Sequence, residues 1–396
     1  MPGPTPVRTT VSPFQRLNDL VAGIAPGRPA IDLGLGEPRH AVPPFVGPAI
    51  AAASEGFGRY PAIRGTDAFR RTVAAWLDRR YGLAVPVDPQ TMVLPLNGSR
   101  EGLFFAALGA RERTPAKERP VILLPNPFYQ AYAAGAEAAG AEPVLLPAAP
   151  GGGAMPDLGA VPAAVLDRAI ALYMASPSNP QGEVLSLADW TALIETARRH
   201  DFMIFADECY SEIYRAVPPA GVLEAADRLG AGFDHVVTFH SLSKRSNLPG
   251  LRCGFAAGDP AFLRLWLRLR NQAAPQVPEP IQAVAVAAFS DEAHVEENRA
   301  LYNAKYRLAE EILGARFPGL TPPGGFFLWL EIGDSVAFAQ RLWREEGVRS
   351  VPGAFLAAAG PDGVNPGAPY LRLAMVQDLD LTRTALTRLA ALLPQP

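Results

Sequence analysis

Residues 236–244 read Val-Val-Thr-Phe-His-Ser-Leu-Ser-Lys, a short apolar run that passes directly into polar residues. An apolar run of about four to six residues with polar ends is typical of a buried parallel strand. Burial at the end of such a strand lowers the pKa of a lysine and makes its amine a usable nucleophile. A single lysine in this place more often extends to solvent. The stretch therefore predicts a buried strand, with a reactive Lys244 as one of two interpretations.

The same pattern recurs along the chain and indicates the fold class. Apolar runs of this kind occupy residues 92–96, 121–124, 171–175, 203–206, 236–239 and 253–257. Segments with helical spacing, such as 66–81 and 98–110, lie between them. Strands that alternate with helices predict βαβ units and a doubly wound α/β sheet. Ligands in such sheets bind beyond the carboxyl ends of the strands, so the polar residues after each run form the candidate site.

The pattern changes near residue 281. A long helical segment over 281–313 is followed by apolar runs at 326–331 and 370–374 and by helical segments at 335–346 and 379–393. These elements predict a smaller α+β domain, and the proline-rich stretch 275–280 precedes it. We expect three parts: an N-terminal arm with part of the small domain (1–44), a large domain (45–280) and a C-terminal small domain (281–396).

Composition excludes several classes of protein. The 396 residues hold 36 Lys and Arg against 39 Asp and Glu, and this balance argues against a nucleic-acid binder. The apolar runs are too short to cross a bilayer, and the start Met1-Pro2-Gly3-Pro4 lacks the pattern of a secretory signal. Cys209 and Cys253 form no metal or redox spacing. We therefore expect a cytoplasmic globular protein with no metal site.

Small and basic residues border two of the predicted strands. Ser99 and Arg100 follow the strand 92–96 where a helix begins, and free N–H groups at a helix start favour an anion. Arg252 begins the strand at 253–257, and a guanidinium inside a sheet needs an anionic partner such as phosphate or carboxylate. An ordinary turn with a helix cap is the alternative for Ser99 and Arg100.

Three other residues after strands could hold a planar ligand. The Asn179 amide could meet a ligand oxygen, Asp207 could hold a proton on a ring nitrogen, and Tyr129 could stack on a ring. Taken singly, each is explained as well by a turn, a helix cap or a core aromatic. Taken with Lys244, they combine an amine, a carboxylate, a phosphate-type anion site and an aromatic face. Pyridoxal 5′-phosphate is a ligand that such a set fits.

The longer strings around these residues resemble one enzyme family. The resembling strings lie at 12–17, 36–40, 97–101, 125–130, 207–214, 241–247 and 363–367. They are similar to those of the class I and II, pyridoxal-phosphate-dependent aminotransferases of fold type I, over about residues 13–393. This resemblance implies a large domain with a mostly parallel, seven-stranded sheet covered by helices, plus a smaller α+β domain.

The resemblance assigns roles around the cofactor ring. Lys244 matches the lysine that forms the Schiff base and carries a proton at the substrate Cα. Asp207 matches the carboxylate that keeps the pyridine nitrogen protonated. Tyr210 and Asn179 match the pair that hydrogen-bonds the phenolate oxygen, which favours its charged form. Tyr129 matches the aromatic residue that stacks on the ring.

Other matches concern the phosphate and the neighbouring subunit. Ser99 and Arg100 match the helix start that supplies N–H groups to the phosphate, and Ser241 and Arg252 match two further phosphate ligands. Tyr60 matches a tyrosine that reaches the phosphate from the neighbouring subunit. The resemblance therefore implies a homodimer with small-molecule substrates, and no nucleic-acid or membrane partner.

The remaining matches concern the substrate. Arg372 matches the fork that binds the substrate α-carboxylate, with Gly36 and Asn179 beside it. The resemblance implies a ping-pong exchange between glutamate and 2-oxoglutarate on one side and N-succinyl-2-amino-6-oxopimelate and N-succinyl-LL-2,6-diaminopimelate on the other, in diaminopimelate and lysine formation. Three arginines, Arg16, Arg39 and Arg100, are candidates for the distal carboxylate, and a surface or turn residue is the favoured alternative for each.

Three other functions remain open at this point. The alternative within the family is a broad-specificity aspartate, alanine or aromatic aminotransferase. A β-lyase or decarboxylase would use the same scaffold, because the chemistry branches once a proton has left Cα. A binding protein that kept the fold without the reaction would usually carry an added DNA-binding domain.

Overall fold

The computed structural model describes residues 11–146, 155–230, 232–360 and 363–394. Its strands are β1 (Ile31–Asp32), β2 (Val93–Leu96), β3 (Val121–Leu124), β4 (Glu142–Leu145), β5 (Ala169–Ala175), β6 (Met203–Asp207), β7 (Val236–Ser241), β8 (Gly254–Gly258), β9 (Phe327–Glu331), β10 (Val348–Arg349), β11 (Val351–Pro352) and β12 (Tyr370–Ala374). Its α-helices are α1 (Pro13–Val21), α2 (Val46–Ala52), α3 (Asp67–Tyr81), α4 (Ser99–Arg113), α5 (Gln130–Ala138), α6 (Ala163–Leu166), α7 (Leu187–His200), α8 (Val222–Arg228), α9 (Leu242–Arg245), α10 (Pro260–Ala273), α11 (Glu279–Ser290), α12 (Ala293–Leu313), α13 (Ser335–Glu346) and α14 (Leu379–Leu392).

Seven of the described strands form the central sheet, in the order β2-β8-β7-β6-β5-β3-β4. The neighbours from β7 to β4 pair in parallel, and β8 runs antiparallel to both β2 and β7. The expected mostly parallel sheet is therefore confirmed. Because β5, β6 and β7 run in parallel, their carboxyl ends meet at one edge, where a ligand site is expected.

Each face of the central sheet is covered by its own apolar core, as the continuous apolar runs require. Along β5, Leu172 and Met174 pack into one core, whereas Ala171 and Tyr173 pack into the other. This alternation follows from the two-residue period of a strand. Helices α3, α7 and α8 contribute to the first core, and α4, α5 and α10 to the second. The sheet is thereby fixed on both faces, and its edge is free to hold polar groups.

A three-stranded antiparallel sheet, in the order β11-β12-β9, forms a second layer with α12, α13 and α14. Leu330 of β9 and Leu371 of β12 share an apolar core with Leu386 of α14. Strand β1 of the N-terminal segment pairs in parallel with β10. The N-terminal residues 31–32 therefore belong to this smaller layer, and β12 carries Arg372 from it towards the central sheet.

The helical segment expected at 281–313 is wrong as a single helix, because α11 ends at Ser290 and α12 begins at Ala293. The Asp291 carboxylate accepts hydrogen bonds from the backbone N–H groups of Ala293 and His294, each at 3.3 Å, and so caps the second helix. Helix α11 packs on α2 and α3 of the large layer. The division at residue 280 stays a prediction, and this packing favours assigning α11 to the large domain.

Candidate active site

A cavity of about 540 Å³ lies at the carboxyl ends of the parallel strands. Nine of the predicted site residues line it: Gly36, Ser99, Arg100, Tyr129, Asn179, Asp207, Tyr210, Lys244 and Arg372. They come from seven segments that are far apart in the sequence. A volume of this size is typical of sites for small molecules.

Lys244 is half-buried in the short helix α9, which follows β7 directly. Its Nζ donates a hydrogen bond to the backbone oxygen of Gly36 at 2.5 Å. Desolvation lowers the pKa of Lys244 to about 8, and the nearby Arg372 and Arg252 act in the same direction. The reactive interpretation of this lysine therefore has a physical basis, since a lowered pKa leaves more of the amine neutral.

Asp207 ends β6 and is held by two donors. The Tyr132 hydroxyl donates to its Oδ2 at 2.7 Å, and the backbone N–H of Cys209 donates to its Oδ1 at 3.3 Å. Burial and the adjacent carboxylate raise the pKa of Tyr132 well above its usual value, so this hydroxyl stays a donor. The carboxylate is thus fixed in orientation at the cavity wall.

Tyr132 is a neighbour that the sequence reasoning missed. It lies three residues after Tyr129 on the segment that forms α5, and residues three apart share one helix face. Its ring stacks on Tyr173 of β5 with centroids 4.6 Å apart. The three-residue spacing from Tyr129 indicates that Tyr132 lies on the same helix face. It does not reveal the contact with Asp207, because the two residues are 75 positions apart in the sequence.

The N-terminus of α4 faces the same cavity through Ser99 and Arg100. The N-cap residue Gly98 has φ 81°, a conformation that favours glycine, and among the described contacts no side chain caps this end. The first N–H groups of a 15-residue helix are therefore available to an anion. The Arg100 side chain donates from Nε to the Tyr129 hydroxyl at 2.5 Å.

Arg252 lies outside the sheet, which corrects the prediction that it begins the strand. It precedes β8 by two residues, is exposed and has φ 54°. Its Nη1 donates to Pro249 O at 3.0 Å, and a Cβ added to Gly98 would meet its Nη2 at 2.3 Å. The strand starts later because the 3₁₀ turn at Pro249–Leu251 comes first. The guanidinium nevertheless lies against the α4 N-terminus.

Ser241 is the N-cap of α9, and its buried hydroxyl accepts from Ser243 N at 3.1 Å. It does not belong to the described lining of the cavity. Tyr60 also lies apart from the cavity, with 96% of its surface exposed. A tyrosine so exposed is available to another molecule.

Arg372 is 3% exposed, on β12 at the cavity wall. Its Nη2 donates to Gly34 O at 2.8 Å and its Nη1 to the Asn179 Oδ1 at 3.2 Å. Its Nε is buried without a hydrogen-bond partner, and no acidic group among the described residues forms an ion pair with the guanidinium. Burial lowers the pKa of the guanidinium to about 10. A buried cation of this kind needs an anion, and the cavity is open to one.

Aromatic side chains separate these polar groups. The Tyr210 ring packs edge-on against Phe326 and Phe327, and burial raises its pKa well above the usual value. The Arg372 guanidinium lies 4.4 Å from the Phe327 ring centroid. A Cβ at position 36 would meet the same ring at 2.7 Å, so glycine permits the close approach of this backbone to Phe327.

One part of the outer wall of the cavity is apolar. Trp329 and Tyr370 stack with centroids 5.0 Å apart and an interplanar angle of 9°, and Phe14 and Met155 lie nearby in the lining. Besides Lys244 and Arg372, Arg100 is the cation among the described lining residues.

The other two candidates for the distal carboxylate lie elsewhere. The Arg16 guanidinium lies 4.0 Å from the Phe355 ring centroid, and Arg39 lines a separate cavity of about 330 Å³ beside Arg349. Neither residue lines the main cavity. Of the three candidates, Arg100 alone is placed to meet a ligand there.

The donor set fits pyridoxal 5′-phosphate. A free helix N-terminus with Arg252 beside it suits a phosphate, the fixed carboxylate of Asp207 suits a ring N–H, and the half-buried amine of Lys244 suits an aldehyde. The described residues contain no cluster that could hold a metal ion, and no described helix has the length and apolarity needed to cross a bilayer.

Comparison with known proteins gives a consistent result. The pattern of the family described as aminotransferase class I and II matches residues 28–389. OxyQ of Streptomyces rimosus, a 4-dedimethylamino-4-oxo-anhydrotetracycline transaminase, is 36% identical over 362 residues, which are 91% of this chain and 92% of OxyQ. LL-diaminopimelate aminotransferase of Dehalococcoides mccartyi (strain CBDB1) is 30% identical over 374 residues, 92% of each chain. The crystal structure of an aminotransferase from Neisseria meningitidis Z2491 superposes with a TM-score of 0.91 at 36% identity, covering 97% of this chain and 98% of that one.

Proposed function

The chain belongs to the aminotransferase class I and II family, whose members use pyridoxal 5′-phosphate, and from this premise we propose that it acts as a succinyldiaminopimelate transaminase. The proposed exchange runs between glutamate and 2-oxoglutarate and between N-succinyl-2-amino-6-oxopimelate and N-succinyl-LL-2,6-diaminopimelate. One observation supports amino acids as the substrate class. Arg372 is buried without an acidic partner among the described residues, and it lines the same cavity as Lys244, so a carboxylate could bind close to the reactive amine.

The residues that would hold the cofactor follow from the donor set. The backbone N–H groups of Ser99 and Arg100 at the start of α4, together with Ser241 and Arg252, would bind the phosphate. When bound, the cofactor supplies an aldehyde for the amino group and a pyridinium ring that withdraws electrons from the substrate Cα.

Four side chains would position the ring. Asp207, held by the Tyr132 hydroxyl, would accept a hydrogen bond from the ring nitrogen. Tyr129 would cover one face of the ring. Asn179 and Tyr210 would donate to the phenolic oxygen, and the raised pKa of Tyr210 keeps its hydroxyl protonated for that purpose.

Lys244 would carry the proton at the substrate Cα. With a pKa of about 8, roughly a tenth of the amine is neutral at pH 7, against far less for an ordinary lysine. Gly36 O holds Nζ in one place by accepting its hydrogen bond. A neutral amine held near the reacting atoms is a suitable general base.

Arg372 would bind the substrate α-carboxylate. Its unpartnered Nε and its two outer nitrogens form the planar fork that matches a carboxylate. Gly36 would lie beside this carboxylate, because its missing Cβ leaves room next to Phe327.

The long side chain of the succinylated substrate would extend to the outer part of the cavity. Its methylene groups would lie against the stacked Trp329 and Tyr370, and Arg100 would meet a distal carboxylate. The relative LL-diaminopimelate aminotransferase bears a name that indicates a related substrate, the diamino diacid that the proposed substrate carries in succinylated form. These two points support the proposed substrate.

The apolar outer wall favours a second candidate, a broad-specificity aspartate, alanine or aromatic aminotransferase. Trp329, Tyr370, Phe14 and Met155 would accept a large ring, and OxyQ is named for a polycyclic substrate. Steady-state kinetics with the succinylated substrate, aspartate, alanine and aromatic amino acids separate the two. Turnover of the aromatic substrates without turnover of the succinylated one would reject the first candidate.

A homodimer is also proposed. The exposed Tyr60 would donate its hydroxyl to the phosphate site of a neighbouring subunit. The Tyr60→Phe variant should keep its dimer in sedimentation analysis and lose cofactor more readily in dialysis. A fully active monomer would contradict this role.

The lysine assignment has a direct test, because the sequence holds three lysines, Lys117, Lys244 and Lys305. Borohydride reduction of the holoenzyme followed by peptide mapping should label Lys244. The Lys117 Nζ donates to three backbone oxygens, of Ala169, His200 and Asp201, at 2.7–2.9 Å, and should stay unlabelled. A label on either of the other two lysines would contradict the site.

A further inference from the structure

A series of hydrogen-bonded side chains, Lys305, His40 and Asn298, contacts the backbone of Lys244 from outside the cavity and has no role in the mechanism above. The Lys305 Nζ lies 2.7 Å from the His40 Nε2, and the His40 Nδ1 lies 2.7 Å from the Asn298 Oδ1. The Asn298 Nδ2 then reaches the backbone oxygens of Lys244 at 3.1 Å and Arg245 at 3.2 Å. The chain therefore ends on the residue that carries the reactive amine.

The direction of every hydrogen bond in this chain is determined. Because the Asn298 amide nitrogen donates to two carbonyls, its Oδ1 must accept, so His40 carries its proton on Nδ1. The His40 Nε2 then accepts from Lys305, whose ammonium can only donate. All donors therefore point the same way along the chain: Lys305 donates to His40, His40 donates to Asn298, and Asn298 donates to the backbone of Lys244.

The backbone oxygens that accept hydrogen bonds from Asn298 are ones that a short helix leaves without partners. Helix α9 spans four residues, and the last carbonyls of a helix lack partners within it. Asn298 supplies donors to two of them, and it is 3% exposed, so water is a poor substitute. The last turn of α9, and with it the Lys244 backbone, is thereby fixed to helix α12.

The 36–40 segment holds Lys244 from the other side. Gly36 O accepts from the Lys244 Nζ, and His40, four residues later, contacts Asn298. The backbone and the amine of Lys244 are thus held through one stretch of chain. Lys305 is 2% exposed and lies beside His40 and the Tyr302 ring, and the negative charge of Asp378 acts on its ammonium.

From this geometry we infer that Asn298, supported by His40 and Lys305, is the positioning residue that fixes Lys244 for proton transfer in the proposed transamination. The substrate does not meet these residues, since none of them lines the described cavity. Their loss should therefore act on the chemical step more than on substrate binding.

The test compares Asn298→Ala with Asn303→Ala in the holoenzyme. Asn303 lies on the same helix and makes hydrogen bonds of the same kind: its Oδ1 accepts from the Arg215 side chain, and its Nδ2 donates to the backbone oxygen of Tyr214. Neither contact involves Lys244. We expect Asn298→Ala to lower kcat roughly 10- to 100-fold, because a displacement of about 1 Å can have that effect, with KM little changed. Asn303→Ala should keep the wild-type kcat.

Hydrogen exchange of the cofactor-free protein gives a readout independent of activity. In Asn298→Ala, the amides of residues 242–248 should exchange faster than in wild type, with the central strands unchanged. A kcat close to wild type would overturn the inference. Faster exchange throughout the protein, with kcat and KM both impaired, would indicate a merely structural role and would also overturn it.

A second variant covers the case in which Asn298→Ala does not fold. His40→Ala changes a half-buried residue of the 36–40 segment and leaves both Asn298 donors in place. It should lower kcat in the same direction by a smaller factor, and an unchanged kcat would overturn the inference. A wild type that transfers no amino group refutes the proposed function instead, so the two failures are distinguishable.

Discussion

The buried guanidinium of Arg372 gives the most direct prediction. Replacing it with glutamine removes the fork that would bind the substrate α-carboxylate. Two hydrogen bonds between charged groups contribute about 1.5–3 kcal/mol each, and one neutral bond from glutamine would restore about 1 kcal/mol. The net loss of about 2–5 kcal/mol corresponds to a decrease of roughly 30- to 5,000-fold in kcat/KM.

The stability of the Arg372→Gln variant should change little. The variant loses the bonds to Gly34 O and the Asn179 Oδ1, which destabilises the fold. It also removes a buried charge that has no acidic partner among the described residues, and this offsets the loss. A decrease in activity would therefore reflect substrate binding and not unfolding.

The assay measures kcat/KM for glutamate and, in parallel, the slow reaction with an alkylamine that has no α-carboxylate. The variant should lose activity with glutamate and keep its activity with the amine. Arg388→Gln is the matched control, because Arg388 also donates to two backbone oxygens, of Pro29 and Glu346, but lies away from the cavity. If the folded Arg372→Gln protein stayed within about threefold of wild type with glutamate, the carboxylate role would be refuted.

Three further predictions follow from the same site. Tyr132→Phe should weaken cofactor binding roughly tenfold or more, because the variant lacks the hydroxyl that donates to the Asp207 carboxylate. Spectroscopic titration with the cofactor measures this affinity, and an unchanged affinity would contradict the prediction. In the cofactor-free protein, labelling of Lys244 by pyridoxal phosphate and borohydride should increase as the pH rises through about 8. The reason is that the pKa of this amine is lowered and that its neutral form is the nucleophile. Peptide mapping measures the labelling, and a midpoint near the usual pKa of lysine would show that the amine is fully solvated. Gly36→Ala should lower kcat/KM roughly tenfold or more, because its Cβ would meet the Phe327 ring at 2.7 Å, and wild-type kinetics would show that the ring moves aside without effect.

Much of the central sheet could be predicted from the sequence, because each buried strand is a continuous apolar run. The exception is β4, which reads Glu-Pro-Val-Leu and lies at the sheet edge. An edge strand is buried less evenly, and proline is tolerated there, so the apolar pattern is weak. The break between α11 and α12 was missed for a similar reason: one aspartate, Asp291, ends an otherwise helical pattern.

The polar residues at strand ends were predictable as a group, since parallel strands bring their carboxyl ends together. Lys244, Asp207 and Asn179 do line one cavity. The contacts behind them were not predictable, because they join distant segments through side-chain geometry. Lys305 and His40 are 265 positions apart, and Tyr132 and Asp207 are 75 apart. Arg252 was misplaced because a short 3₁₀ turn at 249–251 delays the start of its strand.

The engagement of all three lysine amines has a practical consequence for handling the protein. Lys117 is saturated by three carbonyl oxygens, Lys305 is buried against His40, and Lys244 lies in the cavity. Succinimidyl dyes, biotin esters and amine-coupled sensor surfaces therefore have few side-chain amines to attack. Attachment through an engineered surface cysteine would avoid this constraint, because both native cysteines are buried.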